Sequence, residues 1–163
     1  MDSFSKIFAP GLRLGWMLGP PDVVARCELA KQSEDACSSS FSQVVAADYL
    51  AAGYVNQYTA KMRPIYSHKC RLMLDCLQKE MPEEVSWSHP AGGFFTWLTL
   101  PGRMDSEKLL LESIKHKVAF VTGSPFHVDG GGRNKLRLAF SNSSLEQIEE
   151  GVKRLAGAVR SML

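Results

Sequence analysis

Four polar side chains that together suit a phosphate group, Ser3, Ser5, Lys6 and Arg13, lie within eleven residues near the start of the chain. The guanidinium of Arg13 offers a fork of donors, and serine hydroxyls add short hydrogen bonds. Lys6 supplies a further cation or, if it is desolvated, a nucleophilic amine. Taken alone, so short a pattern recurs by chance and also describes a solvated strand end. In a regular strand Ser5 and Lys6 point to opposite faces, so one shared site requires a bend in the backbone there.

A second candidate, Arg137, interrupts an apolar stretch in the last third of the chain. Leu136, Leu138 and Phe140 alternate along residues 135–140, which predicts a strand with these three side chains on one face. Arg137 then lies on the other face. A partly buried arginine needs an anion, because an unpaired buried charge is costly, whereas the alternative is a surface arginine on a two-faced strand. Arg137 is therefore a candidate for anion binding.

Periodicity predicts the elements that must position these residues. The longest helical pattern runs from Val55 to Met81, about 40 Å at 1.5 Å per residue, with Pro64 inside it. Strands and helices alternate after it, which indicates a small sheet covered by helices, whereas no sheet is expected up to Gly53. The other predicted helices are 23–31, 41–52, 106–116 and 144–162, and the predicted strands are 85–88, 94–100, 118–122 and 135–140.

Capping residues and one turn complete the predicted elements. The predicted N-caps of the four shorter helices are, in chain order, Asp22, Ser40, Asp105 and Ser143. Pro10 and Gly11 stand at the second and third positions of residues 9–12, which predicts a type II turn before Arg13.

Length and composition limit the class of protein. The chain has 163 residues, 19 Lys and Arg against 17 Asp and Glu, a net charge of +2, and 45% apolar residues. This balance argues against a strongly basic nucleic-acid binder and against a disordered chain. No apolar run approaches the ~20 residues that span a bilayer. The four cysteines and four histidines show no paired spacing, so we expect no metal site, and free thiols in a reducing compartment.

The residues from Ser3 to Trp16 closely resemble the lysine motif of fold-type I, class I and II aminotransferases, which depend on pyridoxal 5'-phosphate (PLP). That motif reads S-x-S-K, followed by P-G-x-R-x-G. Four later segments resemble further landmarks of the family in the same order, so the likeness covers essentially the whole chain. The nearest subgroup is that of 2-aminoadipate and kynurenine aminotransferases. The four segments are residues 38–43, 90–98, 121–126 and 136–141.

The resemblance implies a role for each candidate residue. Lys6 would be the catalytic residue that forms a Schiff base with PLP, and Ser3, Ser5 and Arg13 would hold the phosphate of the cofactor. Arg137 would bind the α-carboxylate of the substrate as a two-pronged ion pair. The implied activity transfers an amino group between an amino acid and a 2-oxo acid, in a homodimer, with no metal, nucleic acid or membrane as a partner.

The resemblance also implies an α/β fold, the C-terminal portion of a fold-type I PLP transferase. Residues 1–54 would be a remnant of the large cofactor-binding domain. Residues 55–163 would form a small domain, a mainly antiparallel sheet covered by helices, with a long linking helix at about 55–81. Because five residues precede Lys6, we expect the family's earlier cofactor-binding residues to be missing and the isolated chain to be inactive. The expected location is the cytoplasm, or the mitochondrion if a leader was lost with that part.

Two alternative functions are open. A chain derived from an aminotransferase but unable to catalyse would be an association or dimerisation module, driven by apolar surface that the missing part leaves exposed. Ser3 and Lys6 also satisfy the S-x-x-K pattern of Ser-Lys hydrolases, although the chain has neither the S-x-N nor the K-T-G element of that class.

Overall fold

The computed structural model describes all 163 residues, and the chain divides into two compact units, Met1–Arg63 and Pro64–Leu163. The division falls inside one long helix. Each unit combines helices with an antiparallel sheet, so the predicted α/β class is confirmed. None of the helices combines the length and the apolar composition that crossing a bilayer requires.

The first unit begins with a two-stranded antiparallel hairpin. Strand β1 (Asp2–Ser3) pairs with β2 (Gly15–Trp16), and a 3-10 helix (Pro10–Leu12) lies in the connection. Two predictions were wrong here, because this part of the chain does carry a sheet and residues 9–12 do not form a type II turn. A type II turn needs a positive φ at its third residue, and the left-handed residue is Arg13, at φ 52°.

Two helices follow the hairpin. Helix α1 (Pro21–Glu34) begins earlier than predicted, because a proline suits the first helical position, where an N–H would have no partner. Asp22 lies in its first turn and does not cap it. Helix α2 (Ser40–Ala51) is capped by Ser39 and not by the predicted Ser40, since the Ser39 hydroxyl accepts a hydrogen bond of 3.4 Å from a backbone amide in the first turn.

Helix α3 (Tyr54–Glu80) has 27 residues, and each of its ends lies one residue before the predicted one. It continues through Pro64, which cannot donate a backbone hydrogen bond to the carbonyl oxygen of Ala60. The two units divide at this proline.

A four-stranded antiparallel sheet forms the centre of the second unit. Its strands are β3 (Ser86–Trp87), β4 (Phe95–Thr99), β5 (Val121–Thr122) and β6 (Lys135–Ala139). They lie in the order β3-β4-β6-β5, and all three pairings are antiparallel. The predicted antiparallel sheet is therefore confirmed, although every strand is shorter than its predicted range. Trp97 and Val121 lie directly opposite Arg137, one on each side of β6.

Two further helices cover this sheet together with the second half of α3. Helix α4 (Ser106–Lys115) is capped by the predicted Asp105. Helix α5 (Leu145–Arg160) begins with a capping box formed by Ser144 and Gln147, one residue after the predicted box. The predicted cap was displaced because Ser143 and Ser144 offer the same hydroxyl at adjacent positions.

The two faces of the sheet differ in burial. Leu136 and Leu138 of β6 join a core cluster that includes buried residues of α3, α4 and α5, such as Leu77 and Leu109. Arg137 lies between the two leucines on the opposite, half-buried face, as the alternation predicts. The helices therefore leave one face of the sheet open around Arg137.

Candidate functional site

Lys6 lies in a tight turn of residues 4–8 that directly follows β1. The amide of Phe8 donates a hydrogen bond of 2.9 Å to the carbonyl oxygen of Phe4, which closes the turn. The backbone therefore bends at the position where a site shared by Ser5 and Lys6 requires it. The ring of Phe8 stacks on Tyr49 of α2, with 4.1 Å between the ring centroids, and this contact supports the end of the turn.

The two serines of the S-x-S-K pattern meet at the base of this turn. The amide of Ser5 donates to the Ser3 hydroxyl oxygen at 3.1 Å, and the Ser3 hydroxyl donates to the carbonyl oxygen of Leu14 in the approach to β2 at 3.4 Å. The hydroxyl of Ser5 and the amine of Lys6 make no hydrogen bond or ion pair within the chain. Lys6 is also exposed, so its amine is available to a ligand.

Arg13 joins the same hairpin from its other arm. It follows the 3-10 helix in the left-handed conformation and donates one hydrogen bond of 3.1 Å from its guanidinium to the carbonyl oxygen of Pro10. The side chain is exposed, and its remaining N–H donors have no partner in the chain. One hairpin thus carries all four residues predicted to bind PLP, through its phosphate or its aldehyde: Ser3, Ser5, Lys6 and Arg13.

Gly15 allows the two arms of the hairpin to approach each other. A Cβ atom added to it would lie 2.9 Å from the carbonyl oxygen of Asp2, closer than real Cβ atoms tolerate without a shift. The last glycine of the P-G-x-R-x-G pattern therefore has a steric role. This role is not visible in the sequence, because the close contact depends on the pairing of β1 with β2.

A cleft of about 500 Å³ borders the hairpin in the first unit. It is lined by residues of the hairpin, α1 and α2, among them Leu14, Lys31 and Cys37. None of the four predicted phosphate-site residues lines it. The cleft therefore borders the turn at Phe4 but does not include the residues predicted to hold the phosphate.

Arg137 lies on the open face of the sheet in the second unit. Its guanidinium carbon lies 4.0 Å from the ring centroid of Phe95 and 4.8 Å from that of Phe126. No Asp or Glu forms an ion pair with it, and no acceptor in the chain takes a hydrogen bond from its side chain. Arg137 thus has cation–π partners but no anion, although it is half-buried.

The segment that carries Phe126 is a short 3-10 helix, Ser124–Phe126. It is tied to β6 because the amide of Gly123 donates to the carbonyl oxygen of Lys135 at 2.7 Å. Beyond Phe126, the carboxylate of Asp129 accepts a hydrogen bond from the amide of Gly131 at 3.0 Å, and this bond holds the pKa of the Asp129 carboxyl below its usual value.

Phe95 and Phe126 were not among the residues selected from the sequence. The alternation along β4 places Phe95 and Trp97 on one face, but only the pairing of β4 with β6 shows that Arg137 shares it. Phe126 lies outside any strand, so no periodicity could have found it. No group of three or more His, Cys, Asp or Glu side chains is arranged to hold a metal ion.

Comparison with protein families and with curated proteins gives consistent matches. The family profile described as aminotransferase class I and II matches residues 1–155. An aromatic-amino-acid aminotransferase of Thermococcus litoralis is 39% identical over 160 residues, which are 98% of this chain and 38% of that protein.

Two solved structures are similar over nearly the whole chain. A kynurenine aminotransferase of Pyrococcus horikoshii matches with a TM-score of 0.90 and 43% identity, over 98% of this chain and 40% of that one. An α-aminoadipate aminotransferase of Thermus thermophilus, complexed with N-(5'-phosphopyridoxyl)-L-leucine, matches with a TM-score of 0.88 and 36% identity, over 98% and 41%. The chain spans about 40% of the length of these relatives.

Proposed function

The chain belongs to the class I and II aminotransferase family, and from this membership we propose that it supplies the cofactor-anchoring lysine and the carboxylate-binding arginine of a PLP-dependent aminotransferase. The observation that carries the proposal is the hairpin, a single paired segment that carries Lys6, two serine hydroxyls and a guanidinium. Relatives of the 2-aminoadipate and kynurenine subgroup are among the matched structures, in agreement with the predicted subgroup.

The donors of the hairpin fit the phosphate and the aldehyde of PLP. Ser5 and Arg13 retain donors that the chain does not use, and such neutral and charged donors are the groups that proteins use to hold phosphate. Lys6 is a primary amine with no partner in the chain; Ser5 precedes it in the turn, and Arg13 lies on the other arm of the same hairpin. The Ser3 hydroxyl already donates to the carbonyl oxygen of Leu14, so it contributes by shaping the turn, and it would donate to a phosphate only after rotating.

The proposed reaction assigns each residue one task. PLP, when it is bound, supplies an electron-accepting ring that stabilises negative charge at the substrate α-carbon. Arg137 binds the α-carboxylate, and its planar fork of donors fixes the orientation of the amino acid. The Lys6 amine anchors the cofactor and then acts as general base, taking the proton from the α-carbon. The proposed substrates are an amino acid and a 2-oxo acid, which share the carboxylate that Arg137 would bind.

A covalent trapping experiment tests the role of the hairpin. The 163-residue chain is incubated with PLP and then reduced with sodium borohydride, and the labelled peptides are mapped by mass spectrometry. We expect the phosphopyridoxyl group on Lys6 ahead of all other lysines, because the neighbouring donors hold the phosphate while the aldehyde meets the amine. Inorganic phosphate should compete with this labelling. A label spread over the exposed lysines, insensitive to phosphate, contradicts the proposal.

Association of two copies is a further part of the proposed function. Helix α2 exposes two large apolar side chains three positions apart, Phe41 at 74% and Val44 at 60%, and contiguous apolar surface of this kind marks association sites. The same observation favours the alternative of an association module without catalysis. Sedimentation equilibrium measures the association of the parent chain and of a Phe41→Ser, Val44→Ser double variant. We expect the parent chain to form a dimer and the double variant to associate more weakly. A monomeric parent chain at high concentration contradicts both ideas.

A further inference from the structure

Two aromatic rings from different segments contact the guanidinium of Arg137. Phe95 belongs to β4, the strand paired with β6, and Phe126 belongs to the 3-10 helix after β5. The guanidinium carbon lies 4.0 Å from the first ring centroid and 4.8 Å from the second, which is within the range of a cation–π interaction. Two segments of the chain, whose aromatic residues are 31 positions apart, thus contact the same guanidinium.

These contacts leave the hydrogen-bonding capacity of Arg137 unused. A ring face attracts the cation through its π-electrons and accepts no conventional N–H···O bond. No carboxylate, carbonyl or hydroxyl oxygen of the chain accepts a bond from the side chain of Arg137. A guanidinium carries five N–H donors in a fixed plane. A half-buried arginine is therefore oriented by its neighbours while its donors still lack an acceptor.

Each ring is itself held by further contacts. Phe126 meets Trp97 edge to face, with 5.1 Å between the ring centroids. Phe95 contacts Phe94 in the same manner at 6.4 Å, and Phe94 in turn contacts Tyr66 of α3 at 4.9 Å. The two rings therefore have supports that do not involve Arg137, so they can restrict its side chain and not merely follow it.

We propose that Phe95 and Phe126 are positioning residues that hold the Arg137 guanidinium in the orientation in which it binds a carboxylate. The proposal rests on the role of Arg137 in the proposed function and adds how that residue is prepared for it. An arginine that is already ordered loses less conformational freedom when the ligand arrives, so the affinity for the carboxylate rises. A lysine at this position would have neither the plane nor the fork of donors.

The test uses NMR of the 163-residue chain, with the side-chain Nε–H signal of Arg137 as the reporter. Sodium 2-oxoglutarate is the probe, and the variants are Phe95→Leu, Phe126→Leu and Arg137→Ala. We expect ring currents to shift the Arg137 signal in the parent chain, and each leucine variant to reduce that shift. We also expect each leucine variant to weaken 2-oxoglutarate binding by about fivefold, the equivalent of one cation–π contact. Phe126→Tyr should restore both, because it keeps the ring.

The control and the contrary outcomes separate this inference from the proposed function. Phe120→Leu removes a ring of the same unit that packs against the core and is not one of the rings over the Arg137 guanidinium, so it should change neither the signal nor the affinity. If Arg137→Ala abolishes binding while both leucine variants bind as the parent chain does, the positioning role is wrong and the role of Arg137 stands. If Arg137→Ala binds 2-oxoglutarate normally, or the parent chain does not bind it, the assigned role of Arg137 is wrong and the inference is lost with it.

Discussion

A Lys6→Ala chain is expected to lose the phosphopyridoxyl label that PLP and borohydride introduce at the hairpin. The reason is chemical, because alanine has no side-chain amine and Lys6 is the one lysine of the hairpin, residues 2–16. Labelling should fall to the background of the other exposed lysines, and competition by inorganic phosphate should vanish with it. Quantitative mass spectrometry of the reduced chain measures both effects.

The matched control is Lys61→Ala, which removes another exposed lysine of the first unit and should leave the Lys6 label unchanged. Arg13→Ala separates phosphate binding from imine chemistry. It removes one charge-assisted hydrogen bond, worth about 1.5–3 kcal/mol, so the PLP concentration for half-maximal labelling should rise by at least about tenfold. Equal labelling of Lys6→Ala and the parent chain would mean that another lysine anchors the cofactor.

Local patterns predicted the second unit better than the first. The strand of residues 135–140 is visible in the sequence because Leu136 and Leu138 alternate with Arg137, and the structure buries the two leucines as predicted. Helix α3 is visible because its apolar residues recur over 27 positions. Both signals come from short-range periodicity, which a single sequence displays without knowledge of the partners.

The hairpin of the first unit could not be predicted in this way. Strands of two residues are too short to show alternation, and the pairing of Ser3 with Gly15 depends on the close approach that a glycine permits. The predicted N-cap of α2 was wrong by one residue for another reason. Ser39 and Ser40 both offer a hydroxyl, and only the backbone conformation decides which one accepts the amide at the start of α2.

The sequence indicated the candidate residues themselves but not the residues that surround them. Residue type made Lys6 and Arg137 candidates, and the resemblance to the aminotransferase motifs assigned their roles. The rings around Arg137 required the tertiary structure, because Phe126 reaches it from a segment outside the sheet. A sequence can thus indicate the reacting groups, whereas the contacts that orient them depend on strand pairing and on turns.

The turn that carries Phe126 depends on Gly123, and Gly123→Ala is expected to be strongly destabilising. An added Cβ atom would lie 2.5 Å from the carbonyl oxygen of Gly132 and 2.7 Å from both Cβ and the carbonyl oxygen of Lys135. Two of these three atoms are backbone and cannot rotate away. We expect the free energy of unfolding to fall by about 3 kcal/mol, the upper range for an overpacked site, as measured by urea denaturation.

Gly157→Ala is the matched control, because an added Cβ at this position of α5 meets no atom within 4 Å and alanine favours a helix by up to about 1 kcal/mol. The two variants add the same methyl group to the same unit, and we expect opposite signs for the change in the free energy of unfolding.

If Gly123→Ala still folds, its backbone must move away from Gly132 and Lys135, and the 3-10 helix that follows moves with it. The ring-current shift of Arg137 should then change in Gly123→Ala and stay constant in Gly157→Ala. A Gly123→Ala chain as stable as its parent, with an unchanged Arg137 signal, would show that the close packing of this turn does not hold Phe126 in place.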